Sequence, residues 1–141
     1  MKCPQCKKID LKQKRIDYSG DVRGETVKVK CEGLVCTQCG YKTFAPNQMV
    51  VFRNALNDAY RDKKHLLTSD EIKKARKRLG MNQAEFADYL GIGVASLKRW
   101  ELGKIQDASS DQLIRLMSDP DRAKKNSLEV QRRISEVHSH P

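Results

Sequence analysis

Four of the five cysteines in this chain fall into two pairs of identical spacing, Cys3-Pro4-Gln5-Cys6 and Cys36-Thr37-Gln38-Cys39. A Cys-x-x-Cys turn aims two sulfurs at one point, and two such turns supply the four soft donors of a tetrahedral metal site. The spacing therefore predicts one Zn²⁺ held by Cys3, Cys6, Cys36 and Cys39. Four thiolates leave no coordination position for water, so the expected role is structural. Iron held by four thiolates and a Cys-x-x-Cys redox couple are the rival chemistries. A redox couple needs only one pair, normally at a helix N-terminus in a βαβ setting, and neither pair opens a credible helix. Cys31 reads as a small half-buried strand residue outside the metal set. No serine or cysteine comes with an identifiable base, and no glycine loop suits a nucleotide. The sequence points away from an enzyme.

The elements that must position these sulfurs are small. Charged residues make up 33% of the 141, and the mean hydropathy is −0.71, so core material is limited. The formal charge of +10 suggests a polyanionic partner, nucleic acid first. Residues 1–67 carry 14 Lys and Arg against 7 Asp and Glu, and residues 68–141 carry 14 against 11. No apolar run approaches the roughly 20 residues of a membrane span. MKCPQCKK lacks the apolar stretch of a secretion signal. The cytoplasm is the expected location, where structural disulfides are rare.

The fold class expected is α+β. Residues 1–45 form a small four-cysteine zinc-binding β module, with short antiparallel strands punctuated by Gly20, Gly24 and Gly33. So small a unit draws much of its folding energy from the metal. Residues 46–67 form a linker helix and hinge. Met49, Phe52, Leu56, Ala59 and Tyr60 share one helix face, Pro46 suits the first turn, and the packing partner of that face stays open. Residues 68–118 read as four short helices around one core. Thr68 with Glu71, and Asn82 with Glu85, fit capping boxes. Ile72, Ala75 and Leu79 face inward, as do Phe86, Ala87 and Leu90. Val94, Leu97 and Trp100 follow on the third helix, then Leu113, Leu116 and Met117 on a fourth beginning at Ser109. Gly91-Ile92-Gly93 joins the middle two as a helix-turn-helix. In residues 119–141, Leu128, Ile134 and Val137 suggest a short helix, and His138 and His140 read as tail residues.

MNQAEFADYLGIGVASLKRWELGK resembles the Xre/Cro family of phage-repressor-type helix-turn-helix domains. The match rests on Asn82-Gln83-Ala84-Glu85, Gly91, Leu97, Trp100 and Glu101-Leu102-Gly103-Lys104. The whole layout, from MKCPQC to about residue 118, is similar to the MqsA family of antitoxins with its YgiT-type zinc-binding N-terminal domain. The resemblance implies a type II antitoxin whose zinc domain masks a small ribonuclease toxin. It also implies a homodimer that represses its operon by binding double-stranded operator DNA. A stand-alone DNA-binding regulator, its zinc module sensing metal or redox state or binding nucleic acid, is the alternative.

In such folds the second helix of the motif enters the major groove. Arg99 is then the first candidate for base readout, through two bonds to guanine, with a phosphate clamp as its other use. Ala95 suits a thymine methyl, and Ser96 a base or a phosphate. Lys98 and Lys104 suit phosphates, and Gln83 resembles the family glutamine that fixes the backbone. The family pattern carries asparagine where Ala95 stands, so a different operator sequence is expected. The resemblance also implies that Arg76 and Glu101 pair across the core, with Trp100 a core residue.

Overall fold

The structure, a computed structural model, describes residues 1–121. The expected helix around Leu128, Ile134 and Val137, with His138 and His140, lies outside the described residues. The chain divides into two compact units, Met1–Lys64 and a second that begins at His65. Together they are α+β, with one three-stranded antiparallel sheet and five helices among the described residues. No described helix is long and apolar enough to cross a membrane.

The first unit is built on one long hairpin. Strands β1 (Lys12–Val22) and β2 (Glu25–Val35) pair from Lys12 opposite Val35 to Val22 opposite Glu25. A short β3 (Lys42–Thr43) pairs with the end of β2. The two-residue turn, Arg23-Gly24, has φ of 49° and 82°. Positive φ at both positions gives the twist that two antiparallel strands require. Arg23 tolerates it with its guanidinium 5.9 Å from the centre of the Tyr60 ring.

The strands are longer than the sequence pattern suggested, because Gly20 and Gly33 are not breaks. Each sits inside a strand where another side chain takes the place of a Cβ. A Cβ on Gly20 would lie 2.9 Å from Leu56 Cδ1, and one on Gly33 would lie 2.8 Å from Ile16 Cδ1 and 3.0 Å from Phe44. Cross-strand partners share a face, so Ile16, Tyr18 and Gly20 line up with Cys31, Val29 and Val27.

Helix α1 (Pro46–Lys63) lies on that face, which answers where its apolar stripe packs. Pro46 occupies the first turn, and Gln48 accepts a hydrogen bond from the Ala45 N–H at 2.9 Å. Phe44 and Phe52 stack with centroids 4.3 Å apart, and Tyr18 meets both edge-on. Met49 stays exposed, as do Val50 and Val51. Glu25 bridges Lys63 and Lys64 at 3.0 and 2.6 Å, joining the hairpin tip to the end of α1.

The second unit contains α2 (Ser69–Arg78), α3 (Gln83–Leu90), α4 (Val94–Glu101) and α5 (Ala108–Met117). Both expected capping boxes form. Thr68 accepts from Glu71 N–H and Asn82 from Glu85 N–H, while each glutamate accepts from the cap's own N–H. Ile72, Ala75, Phe86, Ala87, Leu90, Leu97, Trp100 and Ile114 make one core. Two inward assignments are corrected. Val94 is exposed, since it stands on the first turn of α4, and the core closes without it. Leu116 is exposed because it stands about 200° round the helix from the buried Ile114, while Leu113 and Met117 pack against the core. Helix α5 starts earlier than Ser109 suggests: Asp107 caps it by accepting from Ser110 N–H, and Asp111, Ile114 and Ser118 are buried.

Candidate functional site

The two cysteine turns share one backbone pattern. In each, the N–H four residues after the first cysteine returns to that cysteine's carbonyl: Lys7 to Cys3 and Gly40 to Cys36, both at 2.9 Å. The N–H of the second cysteine points at the first sulfur, Cys6 to Cys3 Sγ and Cys39 to Cys36 Sγ, both at 3.5 Å. The residue after each turn is left-handed, Lys7 at φ 60° and Gly40 at φ 80°. Gly40 suits this at no steric cost, whereas Lys7 adopts a conformation that side chains disfavour. The sheet brings the turns together. Cys3 N–H is held by Ile9 C=O, and Cys36 N–H by Tyr41 C=O as the chain enters β3.

The four sulfurs lie within 4.8 Å of one another. Cys3 Sγ is 3.6 Å from Cys39 Sγ, and Cys6 Sγ is 3.6 Å from Cys36 Sγ. These separations are far beyond the roughly 2.05 Å of a disulfide. Four sulfurs at about 2.3 Å from one tetrahedral ion stand about 3.8 Å apart. The donor set thus fits a metal ion, with Cys3 and Cys36 buried, Cys6 half-buried and Cys39 exposed.

The electrostatics agree. Burial works to raise the Cys3 thiol, but hydrogen bonds from the Cys6 and Gln5 backbone outweigh it and lower it to about 6. The Cys39 N–H chiefly lowers Cys36. A hydrogen bond from the Tyr41 backbone favours the Cys39 thiolate, yet burial and the three neighbouring thiols push Cys39 up to about 12. Four sulfurs this close cannot all ionise without a cation among them. Cys31 stands apart on β2, its thiol raised by burial.

The second candidate surface is on α3 and α4. Of the residues singled out from the sequence, Ala95, Lys98, Arg99 and Lys104 are exposed, and Gln83 and Ser96 are half-buried. Ala95 and Arg99, four residues apart, share one side of α4. Leu97, Trp100 and Glu101 take the opposite side into the core. Arg76 meets Glu101 through two bonds, Nε to Oε2 and Nη2 to Oε1, both at 3.0 Å, and Nη1 donates to Met81 C=O. A carboxylate at a helix C-terminus opposes the helix dipole, and this guanidinium offsets it.

The sequence reading missed one polar cluster. The buried Asp111 accepts from Leu67 N–H at 2.7 Å, Gln106 Nε2 at 3.0 Å and Arg115 Nε at 2.9 Å. Gln106 also donates to Leu67 C=O, and Arg115 to His65 C=O. The spacing of Asp111 and Arg115 on one helix face was a legible sign of the pair. Nothing local announced that residues 65–67 would be its target.

No curated protein matches the chain. The family model for the antitoxin component of a bacterial toxin–antitoxin system, MqsA, matches residues 1–128 and so runs through both units. The chain belongs to the MqsA family of antitoxins.

Proposed function

We propose that the chain is the antitoxin of a type II pair, with its two roles divided between its two units. The N-terminal module, residues 1–45 with the helix that follows in 46–67, binds and masks a small ribonuclease toxin. Residues 68–118 bind operator DNA and repress the antitoxin's own operon, and residues 119–141 extend beyond them. Cys3, Cys6, Cys36 and Cys39 hold one Zn²⁺, which ties the two turns together and does no chemistry on a substrate. Arg99 reads a base from α4 together with Ala95 and Ser96. Gln83, Lys98 and Lys104 hold the DNA backbone. The chain acts in the cytoplasm as a homodimer on a twofold-symmetric site.

The observation that carries this reading is the family match over residues 1–128, which spans the four-sulfur cluster and the helix-turn-helix alike. The exposed cationic side of α4 supports the DNA role. The excess of basic residues in 1–67 suits a partner with acidic surface. The test is recovery of the tagged full chain from its host in high salt, followed by mass spectrometry. A small ribonuclease retained in near-equal amount is the expected result. Recovery of DNA alone would replace the antitoxin reading with that of a stand-alone regulator.

A further inference from the structure

The first turn of α4 is mostly apolar, with Ser96 its one hydrogen-bonding side chain. Gly93 precedes it with nothing within 4 Å of where its Cβ would stand. Val94 and Ala95 follow, both exposed, and Ser96 is half-buried. Val94 is the telling residue. It is a large apolar side chain, 37% exposed, on a helix whose core partners are Leu97 and Trp100. It belongs neither to the core cluster nor to the partly buried apolar residues packed on it. More than a third of it stands open to solvent, a face the core does not use. As a β-branched residue in a helix it holds essentially one rotamer, so its isopropyl group is fixed in place. One turn further along stand the cations Lys98 and Arg99.

A helix that reads DNA with such a surface has only Ser96 in its first turn for donor and acceptor patterns, and offers Val94 and Ala95 to apolar features. The apolar feature of the major groove is the C5-methyl group of thymine. We propose that Val94 and Ala95 act together as a methyl-reading pair that selects thymine in each half-site, beside the base or phosphate taken by Arg99. The proposal rests on the DNA-binding reading above and adds to it a specificity residue, Val94, and the chemical group it recognises. Arg99 then sets the polar part of the half-site, and Val94 with Ala95 sets the apolar part.

The experiment uses the full, metal-loaded chain and a pool of random-sequence duplexes. The tightest duplex recovered is resynthesised with deoxyuridine replacing each thymine in turn. This deletes one methyl group and leaves the base-pairing edge unchanged. One or two adjacent positions per half-site should lose about three- to tenfold in affinity, the scale of one buried methyl group. Val94→Ala should bind the thymine duplex more weakly and lose most of its discrimination against deoxyuridine there. If deoxyuridine is neutral at every position, the methyl-reading pair is wrong and DNA binding stands. The pair is equally wrong if the penalty persists undiminished in both Val94→Ala and Ala95→Gly. If no sequence is enriched at all, the DNA-binding reading fails and takes this one with it. The deoxyuridine scan on the unaltered protein decides the matter even if a variant folds poorly.

Discussion

The two units close their interiors by different means. The second gathers eight buried apolar residues from four helices into one cluster and seals the helix ends with side-chain caps. The first has a three-ring aromatic cluster, a few aliphatic contacts under α1, and four sulfurs at one end. Apolar burial falls off steeply in small units, so an end whose four sulfurs fit a metal ion and a packed end should fail under different insults. Their ion pairs differ too. Arg76–Glu101 is shielded, at 14% and 2% side-chain exposure, whereas Glu25 with Lys63 and Lys64 lies in solvent. Only the shielded pair should weigh in stability.

The largest test of that contrast is loss of the metal. Structural zinc contributes on the order of 10 kcal/mol to domains of this kind. Cys3→Ser, or a strong chelator on the unaltered chain, should collapse the backbone amide spectrum of residues 1–64. The signals of the helix-turn-helix unit should stay in place. Retention of both sets would mean that the hairpin and α1 hold themselves together.

Glu101→Ala reverses the pattern. It strands the Arg76 guanidinium beside the core and should cost about 3–5 kcal/mol. That loss should appear as a lower denaturant midpoint for the second unit, with the metal still bound. A shift no larger than that of a surface pair would show the interior to be wetter than its packing implies.

Gly33→Ala asks how tightly the first unit is packed where the metal does not reach. The new methyl would press on Ile16 Cδ1 and on Thr43 C=O at 3.1 Å. Overpacking of this sort costs about 1–3 kcal/mol, read as a lower melting temperature of the metal-loaded chain. No change would mean that β3 yields freely.

The smallest effect should come from Asp111, and it is read on the second unit alone because acid also releases a metal held by thiolates. Burial works to raise Asp111, but hydrogen bonds from Leu67 N–H, Arg115 and Gln106 hold it below the ordinary carboxylate range. A carboxylate lowered in the folded state contributes stability that is complete above its unfolded value of about 3.9. That contribution fades as pH falls through the lower folded value. Melting temperature should therefore drop as the solution is taken below about pH 4, and Asp111→Asn should flatten part of that slope. An identical slope in the variant would assign acid sensitivity elsewhere.

Much of this was legible in the sequence because the signals were local. The cysteine turns repeat the same four-residue spacing, and both capping boxes place an acceptor and a glutamate three residues apart. What failed to show depended on partners distant in the chain. Gly20 and Gly33 looked like turn residues because a glycine's reason is invisible until Leu56 and Phe44 arrive to fill the space. Val94 sat in phase with Leu97, yet the first turn of a helix projects beyond the neighbours that would cover it. Leu116 follows Leu113 at a core-like spacing in the sequence, yet it stands on the far side of α5 from the buried Ile114. The clamp on residues 65–67 spans up to 50 positions of sequence, and no periodicity reports such a contact.

That clamp fastens the first residues of the second unit to its last described helix and to Gln106 shortly before it. Helix α1 ends at Lys63, Lys64 closes it, and His65 is already fastened to Arg115. Residues 65–67 therefore move with α5, and a pull along the chain into this unit meets Asp111, Gln106 and Arg115 before it reaches the apolar core.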